Sequence, residues 1–266
     1  MRRALVLALV LFVPFASAQS LPDRLAGLTF TEVVFTVAGD TIDLGANRGS
    51  LSGNTASDLR HCIDNSNCPD RNLASLSEGN GDGTADADEV RRFQAKAVFA
   101  LNILGGDVGE FKQTLGELVK VDGTTFGNVQ FTSLDLEGAE GTIGSTAPVF
   151  ASLGVRVEFP NAPKGRTHTV LVERTASDLD LATRVIVRPA KGWSIVQDSV
   201  QPVDMRGRWA DGELVGTQDQ FEGEEPLAFQ IKQKSATNPW LVGLGALFLL
   251  AVAVAAFVWV RRNRRG

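Results

Sequence analysis

From Phe126 onward the apolar residues fall on every second position. Leu153, Val155, Val157 and Phe159 alternate with Gly154, Arg156 and Glu158, and the run stops at Pro160. His168, Val170 and Val172 repeat the spacing, as do Val185 with Val187, Trp193 with Ile195, and Leu227 with Phe229 and Ile231. The stretch VQFTSLDL at 129–136 precedes them all. Period two returns side chains to one face of a strand, and turn sequences such as NAPKG and WADGE separate the runs. No helical pattern intervenes. Residues 126–235 therefore predict a mainly β domain, an immunoglobulin-like antiparallel β-sandwich, with a small barrel as the alternative.

Upstream the pattern is mixed. LTFTEVVFTV at 28–37 reads as a strand, and Gly39, Gly45, Gly49 and Gly53 then predict a loop. A lone strand leaves its backbone groups unpaired, so residues 19–53 are expected to join the later sandwich. Over 54–120 the period becomes helical. Asn54 or Thr55 is placed to cap ASDLRHCID, where Leu59 and Ile63 stand at i, i+4. Val90, Phe93, Ala97, Leu101 and Leu104 mark an amphipathic helix that stops at Gly105-Gly106, and EFKQTLGELV reads as a further helix with Phe111, Leu115 and Val119 on one side. The segment 54–120 is thus expected as a helical insertion into the sandwich.

The two ends change the picture of where the chain sits. MRRALVLALVLFVPFASAQS has a basic start, an uncharged run over Ala4–Phe15 and small residues at Ala16-Ser17-Ala18. That order predicts a signal peptide over 1–18, cleaved before Gln19. Trp240–Val260 is 21 residues without a charge, closed by Arg261, Arg262, Arg264 and Arg265. Such a run is long enough to cross a bilayer, with tryptophans near its ends and the basic tail, 261–266, on the cytoplasmic side. The expectation is a single-pass cell-membrane protein with its amino-terminal ectodomain outside. A hydrophobic span followed by arginines also resembles the sorting tails of bacterial and archaeal surface proteins, in which the span is exchanged for another anchor. No LPxTG-like motif precedes Trp240, so a retained helix is the preferred expectation.

Charge then restricts the partners. Of 26 basic residues, six arginines lie in the two ends, which leaves 20 against 31 acidic residues, or about −11, for the segment between. That sign disfavours nucleic acid and favours cations. Cys62 and Cys68, in HCIDNSNC, are the two cysteines of the chain, and outside the cell they are expected to form a local disulfide.

The candidate chemistry lies in EGNGDGTADADEV, residues 78–90. Counting from Glu78, oxygen-bearing groups fall at loop positions 1 (Glu78), 3 (Asn80), 5 (Asp82), 7 (the Thr84 carbonyl), 9 (Asp86) and 12 (Glu89), with Gly83 at position 6. A shift of register by two loses both the glycine and the final acid. The stretch resembles the EF-hand calcium loop, including the single loops of prokaryotic surface proteins, over about 25 residues. The resemblance implies one Ca²⁺ held by Glu78, Asn80, Asp82, Thr84, Asp86 and Glu89. It departs from the EF-hand in having Glu at position 1 and Ala85 at position 8, with no second loop in the chain to pair with. Asp64 is the alternative at position 1 if the intervening residues loop out.

Two histidines, no tyrosine and neither G-x-S-x-G nor H-E-x-x-H offer little to an enzyme, though abundant carboxylates leave a hydrolase as the minor alternative. His168 is expected to pack in a strand. The resulting expectation is a calcium-binding surface protein, a structural or protein-interaction module whose protein partner the sequence does not name.

Overall fold

The computed structural model describes residues 30–103, 112–113, 116–117, 119–172, 182–210, 212–217 and 225–234. The signal segment 1–18, the span Trp240–Val260 and the tail lie outside the described residues, as does half of the EFKQTLGELV stretch. Among the described residues no helix is long and apolar enough to cross a membrane.

The protein is mainly β, with several sheets. In chain order the elements are β1 (Phe30–Val37), β2 (Thr41–Leu51), α1 (Asn54–Asp64), α2 (Arg71–Leu76), β3 (Thr84–Ala85), α3 (Ala87–Ile103), β4 (Val119–Val121), β5 (Asn128–Glu137), β6 (Gly141–Thr142) and β7 (Val149–Glu158). There follow β8 (Thr167–Val172), β9 (Ala182–Pro189), β10 (Trp193–Gln201), a 3₁₀ turn at Val203–Arg208, β11 (Trp209–Ala210), β12 (Glu213–Gly216) and β13 (Leu227–Gln233). A seven-stranded sheet runs in the order β11-β12-β9-β1-β2-β7-β5, a four-stranded sheet in the order β10-β13-β8-β4, and β3 pairs with β6 alone.

The strand predicted at 28–37 sits in the middle of the larger sheet. Val33, Val34 and Phe35 are all buried, as a central strand covered on both faces requires. Phe35 stands opposite Leu44 of β2 and Val187 of β9. The pairing with β9 is parallel, where an all-antiparallel sandwich was expected. A strand's own alternation records which face is buried but not the direction of its neighbour. Here the neighbour comes from about 150 residues away in sequence.

The glycine-marked loop at 39–53 is also corrected. Thr41–Leu51 is an eleven-residue strand hydrogen-bonded to β1 on one side and β7 on the other. Ile42, Leu44 and Ala46 face the core, and Gly45 lies between them, level with Gly154 of β7. After Ala46 the register slips at a bulge, where Arg48 has φ 55°, and Gly49 and Leu51 resume the buried series. Two neighbouring strands supply the backbone pairing that glycine's poor strand preference does not forbid.

Both larger sheets feed one apolar cluster. Leu44, Phe131, Leu153 and Val155 enter it from the first sheet, and Val121, Val170, Phe229 and Ile231 from the second. The helices join the same cluster through Leu59 and Ile63 of α1 and Val90, Phe93, Ala97 and Leu101 of α3. Two polar residues lock the helices to the strands. Asn102 at the end of α3 donates to Phe131 O (2.8 Å) and accepts from Phe131 N (2.9 Å), which satisfies the exposed edge of β5 beside its bulge. Arg60, only 1% exposed, donates to the carbonyls of Gly138, Ser145 and Ala147 at 2.6–3.0 Å. Burial pulls its pKa down from the ordinary arginine value.

The α1 cap differs from expectation. Gly53, with φ 61°, precedes the helix and no side chain caps it, so neither Asn54 nor Thr55 plays that role. The helix ends at Asn65 in the left-handed region, with the backbone N–H of Ser66 turned back to His61 O (3.1 Å). At the far end of the insertion, Val119 begins a strand that pairs with β8, where a helix was expected to close.

Candidate metal centre

The stretch predicted at 78–89 follows α2 and runs through β3 into the first turn of α3. Cys62 and Cys68 are joined in a disulfide that closes the turn after α1. Asp64, the last residue of that helix, lies inside the closed segment and is fully buried. The loop wraps around it. Gly81 N donates to Asp64 O (2.8 Å), and Gly83 N donates to the Asp64 carboxylate at Oδ2 (3.2 Å). Gly79 packs so closely that a Cβ there would stand 2.3 Å from the Asp64 carbonyl carbon. Only glycine fits that contact.

At the other end, Asp86 and Glu89 cap α3 reciprocally. Glu89 N donates to Asp86 Oδ1 (2.8 Å), and Asp86 N donates to Glu89 Oε2 (3.2 Å), the exchange that a capping box makes. Glu89 is 1% exposed and its second oxygen accepts from Asn80 N (2.7 Å), across the loop. Within the loop, Asp82 N donates to Asn80 Oδ1 and Thr84 N to Asp82 Oδ1, at 2.8 and 2.9 Å. The Asn80 amide donates to Asp82 Oδ2 (3.0 Å).

The partner strand missing from the sequence reading comes from elsewhere in the fold. Thr84 and Ala85 pair with Thr142 and Gly141 of β6, and Ile143 N donates to Gly83 O (3.2 Å). The connection between β5 and β7 thus supports the loop where an EF-hand would use a second loop. Ala85 is buried in this contact, and a small side chain suits it.

The predicted ligands do not all converge. Asn80, Asp82, Asp86 and Glu89 share one hydrogen-bonded loop, with Thr84 on its short strand. Glu78 pairs instead with Lys96 Nζ (2.7 Å) and Arg92 Nε (3.6 Å) on α3. The hydrogen bond and charge of Lys96 hold its pKa below the ordinary glutamate value. Among the described residues, no three acidic, histidine or cysteine side chains stand close enough together to hold an ion as they are placed. Oxygens of Asn80, Asp82, Asp86 and Glu89 accept backbone N–H groups of the loop. Beneath them, Asp64 Oδ1 is buried and has no hydrogen-bond partner. A buried, orphaned carboxylate oxygen beside an oxygen-rich loop fits a hard cation, which takes oxygen ligands.

A second polar cluster escaped the sequence reading. His168 on β8 is 4% exposed, with Nδ1 2.7 Å from Asp122 Oδ2 and Nε2 3.0 Å from Gly165 O. Asp122 Oδ1 accepts from Thr169 N (2.8 Å), and Trp193 packs on the imidazole with ring centroids 5.4 Å apart. Carboxylate and carbonyl are both acceptors, so whichever ring nitrogen carries the proton has a partner. The signal available in sequence was the Asp122-Gly123 turn. Nothing local links it to a histidine 46 residues later.

No protein-family model, curated protein or solved structure matches the chain.

Proposed function

We propose that the chain is a membrane-anchored, extracytoplasmic calcium-binding surface protein. Its two larger sheets act as an immunoglobulin-like sandwich, a structural or protein-interaction module for a protein partner at the cell surface. The helical segment is an EF-hand-like insertion. Glu89 carries the calcium reading. Glu89 is 1% exposed, and beyond capping α3 through the backbone of Asp86 it reaches across the loop to the backbone of Asn80, a contact that a capping box does not need. Asn80 and Asp86 occupy positions 3 and 9, and Glu89 position 12, of the calcium-loop pattern. The disulfide supports an oxidising compartment, and the uncharged run Trp240–Val260 supports the anchor.

In this role calcium orders a loop and does not signal, because extracellular modules bind at about 10⁻⁴–10⁻³ M and stay loaded. The test is calorimetric titration of CaCl₂ into the full-length protein in detergent, with the expectation of one ion per chain. No saturable heat up to about 10 mM, well above that affinity range, would return the loop to a structural turn. Intact mass of the membrane-extracted protein tests the anchor: a chain running from Gln19 to Gly266 is expected, and loss of residues 240–266 would favour a sorted tail.

A further inference from the structure

We infer that Asp64, in place of Glu78, supplies the first carboxylate to the calcium ion, so that the ion ties the end of α1 to the start of α3. The inference rests on the calcium reading and adds to it the identity of a ligand outside the contiguous loop. Four observations converge on Asp64. Its side chain is fully buried, and Oδ1 lacks any hydrogen-bond partner. Its other oxygen is fixed by Gly83 N and the Ser66 hydroxyl, so the carboxylate is already anchored on the loop at position 6. Its carbonyl accepts from Gly81 N. Gly79, which follows Glu78, is pressed against the Asp64 backbone, so the place where the loop begins is occupied by Asp64 itself.

Leaving a buried carboxylate oxygen without a donor is costly, and a cation is the partner that would remove the cost. Glu78 has no such deficit. Its side chain is 46% exposed and its carboxylate is matched to Lys96 and Arg92. Arg60 also has a buried atom without a partner, Nε, but its other two nitrogens donate three hydrogen bonds to carbonyls. A donor cannot coordinate a metal, so only the Asp64 orphan points to one. The residues between Asp64 and Glu78 contain α2 and the end of the disulfide-closed turn. On this assignment they are an insertion between the first ligand and the rest. The disulfide holds the first ligand in place before the ion arrives.

The experiment is titration calorimetry of CaCl₂ into the full-length protein in detergent, comparing wild type, Asp64→Asn and Glu78→Gln. Melting in excess EGTA checks that each variant is folded. Asp64→Asn should weaken calcium binding by about tenfold or more, since ligand charge sets the affinity of such loops, while Glu78→Gln stays within about twofold. Unchanged affinity in Asp64→Asn, or a comparable loss in Glu78→Gln, overturns the assignment. Should Asp64→Asn fail to fold, Glu78→Gln decides alone: retained affinity supports Asp64 and lost affinity restores Glu78. Absence of calcium heat in the wild type is a different result, because it removes the calcium reading itself.

Discussion

Asp64 is fully buried and Asp122 is 21% exposed, and the two end in different states. Asp122 sits in the turn after β4, where both its oxygens are satisfied, one by His168 and the other by the backbone of Thr169. Asp64 ends α1 with one oxygen satisfied and the other orphaned. The first is a finished polar cluster that joins β4 to β8, and nothing need be added to it. The second is unfinished, beside a loop that carries Asn80, Asp82, Asp86 and Glu89. Completeness of hydrogen bonding, more than the presence of acidic residues, separates structural polarity from a candidate site.

The largest expected effect tests the unfinished side. Saturating calcium should stabilise the full-length protein by about 2.7 kcal/mol at a hundredfold excess over Kd, read as a rise in Tm. Glu89→Ala should abolish most of that rise. Asp88→Ala, at the non-ligating position 11, loses an exposed pair with Arg91, so it should leave the rise intact. A rise that survives Glu89→Ala would place the ion somewhere else.

The finished side makes the opposite prediction. Asp122→Ala removes the acceptor for both His168 and Thr169 and should cost about 2 kcal/mol, with or without calcium. Calcium affinity should not move, and a change in it would mean that the two regions are coupled. Replacing Cys62 and Cys68 by serine should cost about 2 kcal/mol in the chain-entropy account, a similar amount. Unlike Asp122→Ala, it should also weaken calcium binding, because the disulfide closes the turn that holds Asp64.

The smallest effect belongs to Glu78. Lys96 lowers its folded pKa, so its contribution is present above the unfolded glutamate value and is lost as pH falls through the lowered one. The carboxylate is exposed and screened, so melting curves of Glu78→Gln and wild type should nearly coincide at neutral pH. Carbon-detected NMR titration should show the Glu78 carboxyl titrating below ordinary glutamates. An ordinary value would dissolve the Lys96 pair, and with it the argument that Glu78 is already matched.

Much of the strand content was legible because alternation is a local property. The runs at 129–136, 153–159, 168–172 and 227–231 correspond to β5, β7, β8 and β13, and the helical spacing at Val90, Phe93, Ala97 and Leu101 to α3. In these elements the buried face is written every second or every third-to-fourth residue, so no distant information is needed. The strand β2 was hidden because its glycines read as turn residues, and what makes it a strand is a neighbour on each side. The disulfide was legible for a related reason: a separation of six residues after a helix leaves little freedom in the partner.

The site divides along the same line. The oxygen-bearing residues from Asn80 to Glu89 and the glycines among them are contiguous, so the sequence alone determined an oxygen-rich loop whose spacing resembles the EF-hand pattern. It also determined the apolar run and arginines at the carboxyl end, whatever becomes of them. Only the tertiary structure decided that Asp64 lies under the loop, that β6 supports it, and that Glu78 turns to Lys96 and Arg92. Those outcomes depend on where α1, α3 and the β5–β7 connection meet. Arg60 helps to fix that meeting point by binding three carbonyls some eighty residues away. A carboxylate's neighbours in space are set by the packing of whole elements, and no local spacing encodes them.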